Sequence, residues 1–363
     1  MKRYTPILLD ACRVGPGQYA SSSTVSKDGR ILVNVGGRYS LFSEDRGVSF
    51  KRLDLPDVPA FHRLSDGSYV AFSFHNQVLK KFNPIQKPIP YVMKIMRAAS
   101  FEDILSGHYA CSFSSVDIPD LAVGYGDSGD KDNYHTGVID HGVVEMPNGD
   151  IIITMYGQFG ADVQKVDYFD KYDFFQYRSW CLISHDGCKT FSYLSTIADC
   201  QSAPIDPRAE GYCEPDLLHV GDGHLVAVLR TGGHEVYTPM YVAHSYDSGK
   251  TWEKPFKIHD FGVFPKLIKL QNGSLVCSAG KIGSFLLFSS DDGLTWSEPI
   301  YICDNDGQWD RGPSGYTTLL ETAPNEILVI YDETEDKTSI VVEKPEDRRI
   351  VFIHRYKIET TEA

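Results

Sequence analysis

Short apolar runs rich in valine, isoleucine, leucine and aromatic residues recur along the whole chain, each bounded by Gly, Asp, Asn or Pro. Runs of this length with β-branched residues predict strands, not helices. Pairs of runs flank a tight two-residue turn: Asp28-Gly29, Asp66-Gly67, Asn148-Gly149, Asp222-Gly223 and Asn272-Gly273, with Asn325-Glu326 as a degenerate sixth. Such dipeptides favour the left-handed turn geometry that matches the twist of two antiparallel strands. Six hairpins in 363 residues leave about 60 residues for each, enough for one four-stranded propeller blade per hairpin. The expected blades run over 18–55, 56–115, 137–197, 211–259, 262–303 and 314–357, with an insertion rich in Gly and Asp over 116–136. The segment Thr5 to Ala11 is expected to add a strand to the last blade, a closure that would remove exposed sheet edges.

A second pattern follows several hairpins. Ser43 to Phe50, Ser184 to Phe191, Ser245 to Trp252 and Ser289 to Trp296 all read Ser-x-Asp-x-Gly-x-Thr/Ser-aromatic, except that Cys188 stands where the other copies have Gly. The pattern describes a tight turn: Asp caps backbone N–H groups, Gly takes positive φ, and the aromatic ring anchors the turn on its sheet. These segments are Asp boxes, and through them the chain resembles the sialidase (neuraminidase) superfamily. The resemblance covers nearly the whole chain. It implies a six-bladed β-propeller of four-stranded antiparallel blades, with the motif between the third and fourth strands of a blade and no chemistry in the motif itself. The expectation is therefore an all-β fold and a single domain spanning 1–363.

Composition narrows the functional classes. Hydrophobic residues make up 42% and charged residues 23%, a globular balance that excludes a disordered chain. No run approaches the roughly 18–20 apolar residues of a membrane helix. The start, Met1 to Asp10, holds an apolar run of only three residues, short of the roughly 7–15 in a secretory signal. The net charge is −14 without a long basic block, which disfavours nucleic acid and anionic membranes as partners. Eight cysteines are too few for a disulfide scaffold, and no C-x-x-C pair supports zinc. Cys12, Cys111 and Cys277 sit in apolar contexts and read as buried free thiols, as expected for a reducing, cytoplasmic compartment. No metal or cofactor is expected, and the oligomeric state is left open.

Candidate chemistry gathers where the first strand of each blade begins. Asp140-His141, Phe61-His62, Tyr212-Cys213-Glu214-Pro215, Val263-Phe264-Pro265 and Gly315-Tyr316-Thr317 all stand just before or within apolar runs. A hairpin turning at Asp222-Gly223 places Glu214 opposite Arg230. The resemblance implies that this Glu polarises a tyrosine nucleophile and that Arg230 contacts a substrate carboxylate, a bidentate contact suited to an acidic sugar. An ordinary cross-strand ion pair is the alternative. By the same resemblance Tyr316 stands at the nucleophile position. A phenol with a pKa near ~10 needs an adjacent base, and Glu214 is the expected one.

Several positions depart from the family pattern. The nearest candidate for its first arginine is Arg13, in Cys12-Arg13-Val14-Gly15. The stretch ahead of the first Asp box, where the family carries its acid, reads Gly36-Gly37-Arg38-Tyr39-Ser40 without a carboxylate. Lys281 stands where the third arginine is expected, and lysine cannot make the same forked contact. Histidine titrates near neutrality, so His141 with Asp140 is a candidate acid/base and His62 a candidate substrate contact. Arg178 and Arg311 complete the substrate-binding candidates. The Gly124–Gly129 glycines lack the strand-then-helix setting of a dinucleotide site. Asp127, Asp130 and Asp132 read as a solvated loop, with a bound cation as the alternative; His234-Glu235 lacks the second histidine of a metalloprotease helix; and Asn272-Gly273-Ser274 reads as a hairpin turn that doubles as a glycosylation sequon.

The leading expectation is a glycosidase that cleaves terminal glycosidic bonds in an acidic or deoxy-sugar glycan. The chain also resembles propeller-type rhamnosyl-glucuronate lyases, which makes elimination the second expectation. A non-catalytic glycan-binding propeller is the third.

Overall fold

The computed structural model describes residues 2–17, 22–73, 91–116, 118–121, 124–125, 134–135, 138–162, 164, 166, 175–232, 238–281, 283–303, 314–334 and 349–362. The fold class is the one the hairpin pattern predicts, all-β with six four-stranded antiparallel blades of a β-propeller. The chain opens with β1 (Lys2–Pro16). Blade one is β2 (Ser22–Val25), β3 (Ile31–Val35), β4 (Tyr39–Ser43) and β5 (Lys51–Leu53). Blade two is β6 (His62–Arg63), β7 (Tyr69–Ser73), β8 (Tyr91–Ala98) and β9 (Ala110–Val116), with the short helix α1 (Phe101–Leu105) between its last two strands. A two-stranded ribbon, β10 (Gly124–Tyr125) with β11 (Tyr134–His135), lies in the predicted insertion.

Blade three is β12 (Val138–Glu145), β13 (Ile151–Gly157), β14 (Arg178–Ser184) and β15 (Ser192–Ala198). Blade four is β16 (Cys213–Gly221), β17 (His224–Arg230), β18 (Met240–Ser245) and β19 (Phe256–His259). Blade five is β20 (Val263–Lys269), β21 (Leu275–Lys281), β22 (Gly283–Ser289) and β23 (Ile300–Cys303). The last sheet runs β1-β26-β25-β24, with β24 (Thr318–Ala323), β25 (Glu326–Thr334) and β26 (Arg349–Glu362). The predicted closing strand is thus present, and it is longer than Thr5 to Ala11 because β26 pairs it from Lys2 to Pro16.

Two compact units divide the chain. The first takes Met1–Tyr69, Ala98–His108 and Phe261–Ala363, the second Val70–Arg97 and Tyr109–Asp260. Each has its own apolar core. In the first, Ile31, Val33 and Leu41 pack with Leu328, Ile330 and Val351, and Tyr4, Val276 and Phe288 pack with Leu319, Ile327 and Val329. In the second, Val144, Ile152 and Cys181 pack with Leu217, Leu225, Ala227 and Leu229. Central strands such as β13 and β17 are covered on both faces, which is why they read as continuous apolar runs and not as alternating ones. Each such side chain contributes about 1.5–3 kcal/mol on burial.

The four Ser-x-Asp turns each connect the third and fourth strands of a blade and share one hydrogen-bond scheme. The serine hydroxyl donates to the aspartate Oδ1 at 2.8–2.9 Å and accepts the N–H four residues on at 2.8–2.9 Å. The carboxylate then accepts the Ser or Thr N–H at 2.9 Å and its hydroxyl at 2.6–2.7 Å. Burial pushes the Asp45 carboxyl up, but the bonds from Ser49 and Ser43 outweigh it and hold it at about 2. Two successive residues take positive φ in every copy, and Cys188 adopts φ 62° at the position that is Gly elsewhere. Its side chain is fully buried.

Two thiols depart from expectation. Cys277 is buried, but Cys12 and Cys111 are exposed, because β1 and β9 are the edge strands of their sheets and turn these positions outward. Asn272-Gly273-Ser274 forms the expected turn, with Gly273 at φ 88° and its N–H on the Leu270 carbonyl. Asp127, Asp130, Asp132, His234, Glu235 and Arg311 lie outside the described residues. Among the described residues no helix is long and apolar enough to cross a membrane, and no cluster of His, Cys, Asp or Glu has the arrangement of a metal site.

Candidate functional site

Polar side chains converge in each unit where the first strands of blades begin. In the second unit the centre is Glu214. Its strand pairs Cys213 with Arg230 and then Asp216 with Val228, so a bulge falls between them and the register differs by one from the simple hairpin expectation. The bulge holds Glu214 at φ 44°, in the left-handed region, with the residue only 4% exposed. The side chains nonetheless meet as predicted: Arg230 Nη1 donates to Glu214 Oε1 at 2.5 Å, and Nη2 donates to Glu210 Oε2 at 3.2 Å. The guanidinium is thus shared between two carboxylates, each largely buried.

The loop before β16 is clamped so that both glutamates stay in place. Tyr177 N–H donates to the Glu210 carbonyl at 2.7 Å, and Tyr212 N–H to the Tyr177 carbonyl at 3.0 Å. Gly211 is required there, since a Cβ would collide with the Tyr177 backbone. Thr154 Oγ1 donates to the Pro215 carbonyl at 2.9 Å and ties β13 to the bulge. Asp140 and His141 fall in the irregular stretch of β12 between Ile139 and Val143; their side chains lie outside the described residues.

Arg178 opens β14 as expected but is committed elsewhere. Its Nε donates to both oxygens of Asp162, at 2.7 and 3.0 Å, and Nη2 bonds the same carboxylate. Its guanidinium also lies over the Phe159 ring, 4.3 Å from the centroid.

In the first unit the centre is Tyr316. It follows Gly315 (φ 89°) and precedes β24, and its ring packs on Phe264 with centroids 4.3 Å apart. Phe264 repeats the Glu214 geometry: β20 pairs Val263 with Gly280 and then Lys266 with Ser278, and the intervening bulge holds Phe264 at φ 48°. The Lys266 ammonium lies 5.7 Å from the Phe264 centroid. Lys281, at φ 105°, is brought against the same segment. A Cβ on Gly315 would lie 2.8 Å from the Lys281 nitrogen, and one on Gly280 would lie 2.5 Å from the Gly315 Cα. Ser278 Oγ and Thr317 Oγ1 share a hydrogen bond of 2.6 Å that fastens β21 to the tyrosine segment. Beneath it, the fully buried Asp332 pairs with Arg349 at 2.6 Å.

His62 opens β6 just after Phe61, whose N–H donates to Thr24 Oγ1 at 2.9 Å. Arg13 is not brought to Tyr316: it is exposed on β1, and β26 and β25 stand between β1 and β24. The Gly36–Ser40 stretch has no carboxylate of its own, but Asp57 supplies one. Asp57 Oδ1 sits 2.6 Å from where a Cβ on Gly37 would be, with Arg52 stacked 4.0 Å above the neighbouring Tyr39 ring.

Eleven described non-glycine residues have positive φ. Four lie in the Ser-x-Asp turns and four are Asp or Asn, the types that tolerate this region best. The remaining three are Glu214 and Phe264, each second in the first strand of its blade, and Lys281, the last residue of β21. Sequence reasoning reached Glu214 and Lys281 but missed Glu210, Asp162, Asp332, Arg349, Lys266 and Asp57. Asp332 directly follows the apolar run Ile327 to Tyr331, but Glu333, Glu335 and Asp336 come after it and leave nothing in the sequence to single it out.

Neither the protein-family models nor the curated proteins compared match this sequence. By structure the chain is similar to a crystal structure of a protein of unknown function from Dyadobacter fermentans, with TM-score 0.66 and 15% identity over 98% of this chain and 99% of that one. It is also similar to an α-L-arabinanase of Penicillium chrysogenum complexed with arabinobiose, with TM-score 0.58 and 13% identity over 96% and 98%. A Hadza microbial sialidase gives TM-score 0.57 and 13% identity over 93% of this chain and 65% of that one. The chain therefore spans just under two thirds of that sialidase. At such identities the likeness is one of fold.

Proposed function

We propose that this protein is a glycoside hydrolase of sialidase-like fold that cleaves terminal glycosidic bonds in acidic or deoxy-sugar glycans. The observation that carries the proposal is the Arg230 cluster, a buried guanidinium held by Glu210 and by a left-handed Glu214. Backbone strain of this kind costs about 1–3 kcal/mol and persists where the surrounding structure is built to hold a functional group. By the resemblance, Tyr316 takes the role of nucleophile and Glu214 that of a base, while Arg230 and Lys281 are each candidate carboxylate-binding groups. The Ser-x-Asp turns are the Asp boxes of that superfamily, a reading supported by their shared hydrogen bonds. His141 remains a proposed acid/base group. Asp57 is the carboxylate offered beside Gly37 for protonating a leaving group, which glycoside hydrolysis requires.

The test is mass spectrometry after incubation with sialylated, rhamnosylated and uronate-containing oligosaccharides. Products that together exceed the substrate by one water are expected, and Tyr316→Phe is expected to abolish them without unfolding the protein. Fragments summing to the substrate mass, with new ultraviolet absorbance, would instead establish elimination; binding without any product would establish a lectin. Asp57→Asn and His141→Gln are then compared on aryl glycosides with good and poor leaving groups. The variant that loses activity only on poor leaving groups identifies the proton donor.

A further inference from the structure

Asp332 is fully buried, and its carboxylate is engaged on three sides. Oδ1 accepts the Ser314 N–H at 2.8 Å and Arg349 Nη1 at 2.6 Å, while Oδ2 accepts the Ser314 hydroxyl at 2.6 Å. The same hydroxyl accepts the Tyr316 N–H at 3.3 Å. Ser314 to Thr317 precede β24, so no strand ladder fixes these residues. Asp332 and Ser314 do so in its place.

We infer that Asp332 is a positioning residue that acts through Ser314 to set Tyr316, a role that deepens the proposed function and rests on it for its kinetic consequence. Three constraints converge. The Ser314 end of the segment is held by a charged, buried acceptor, and charge-assisted bonds of this kind are short and roughly twice as strong as neutral ones. Gly315 is confined by Val263, Gly280 and Lys281, with no room for a side chain. The Tyr316 ring is laid on Phe264. Arg349 Nη1, 2.6 Å from Oδ1, pairs this buried carboxylate with an opposite charge. Asp332 thus joins β25 to the tyrosine segment, and the phenol leaves that segment in one direction.

The inference is tested with 3-fluorotyrosine installed at position 316 and read by fluorine NMR, a readout that needs no turnover. Ser314→Ala, which should fold because it removes only one hydroxyl, is expected to shift or broaden the resonance, and Asp332→Asn to do so more strongly. Ser314→Thr, which keeps the hydroxyl, is expected to restore it. On a cleaved glycan, Ser314→Ala should lower kcat about 10–100-fold, the loss that misplacing a reacting group by an ångström produces, with KM nearly unchanged. An unaltered resonance in both Ser314→Ala and Asp332→Asn would overturn the inference, whatever the kinetics. Wild-type protein that cleaves no glycan, yet shows the spectral change, would overturn the proposed function and leave the positioning role standing.

Discussion

Arg230 sits between two carboxylates that fold into a largely buried place, Glu214 at 5% and Glu210 at 15% side-chain exposure. Removing its charge leaves both acids without that cation. Arg230→Met is therefore expected to cost about 3–5 kcal/mol, the penalty for breaking a buried pair from one side, measured by urea unfolding. Adding Glu214→Gln should recover part of that loss, and an unchanged midpoint in the single variant would refute the arrangement. The Glu214–Arg230 half of this cluster was legible because a two-residue turn sets hairpin register locally. Glu210 was not, because it lies in a loop whose path depends on Tyr177 and Gly211 contacts between separate segments. Phe264 was legible as a strand-start position, but its bulge and the nearby Lys266 were not, for a related reason: the bulge that repeats the Glu214 geometry in blade five has no signature beyond a shared Pro.

The Ser-x-Asp turn is the element whose physics follows most directly from its residues. Thr251 lowers the Asp247 carboxyl through its hydroxyl, and Thr295 bonds lower Asp291 against the opposing effect of burial. A carboxyl whose folded pKa lies below its unfolded value stabilises the protein above the unfolded pKa, and that stabilisation is lost as pH falls through the folded one. With Asp45 at about 2, Tm is expected to be flat from pH 7 to about 5 and to fall steadily from about 4 toward 2. Asp247→Asn should shallow that fall, as thermal melts across the range would register; an equally steep fall would remove this turn from the acid response. At neutral pH Asp247→Ala is expected to cost about 1–2 kcal/mol through its lost hydrogen bonds.

At the scale of the whole chain, β1 and β26 pair residues as far apart as Lys2 and Glu362. Tyr4 makes this pairing matter to the blade-five strands as well, stacking on Phe288 at 4.7 Å and donating to Ser274 Oγ at 3.0 Å. Tyr4→Ala is expected to cost about 3–5 kcal/mol, as for other buried aromatic truncations, read from the denaturant midpoint. A change below half a kilocalorie would mean that the amino-terminal strand is peripheral to stability. Folding should be slow, because contacts this distant in sequence carry a large loop-closure cost.

The sequence alone determined the strands, the six hairpins, the blade limits and the turn between third and fourth strands, because each rests on short apolar runs and on turn residues close to one another along the chain. It also placed Glu214 beside Arg230. Tertiary structure decided what stands around them: Glu210 against Arg230, Asp162 against Arg178, Asp332 beneath the Tyr316 segment, Asp57 beside Gly37, and Arg13 on a strand remote from β24. Those contacts join segments that no local pattern connects, and packing, not spacing along the chain, selects which charged groups meet.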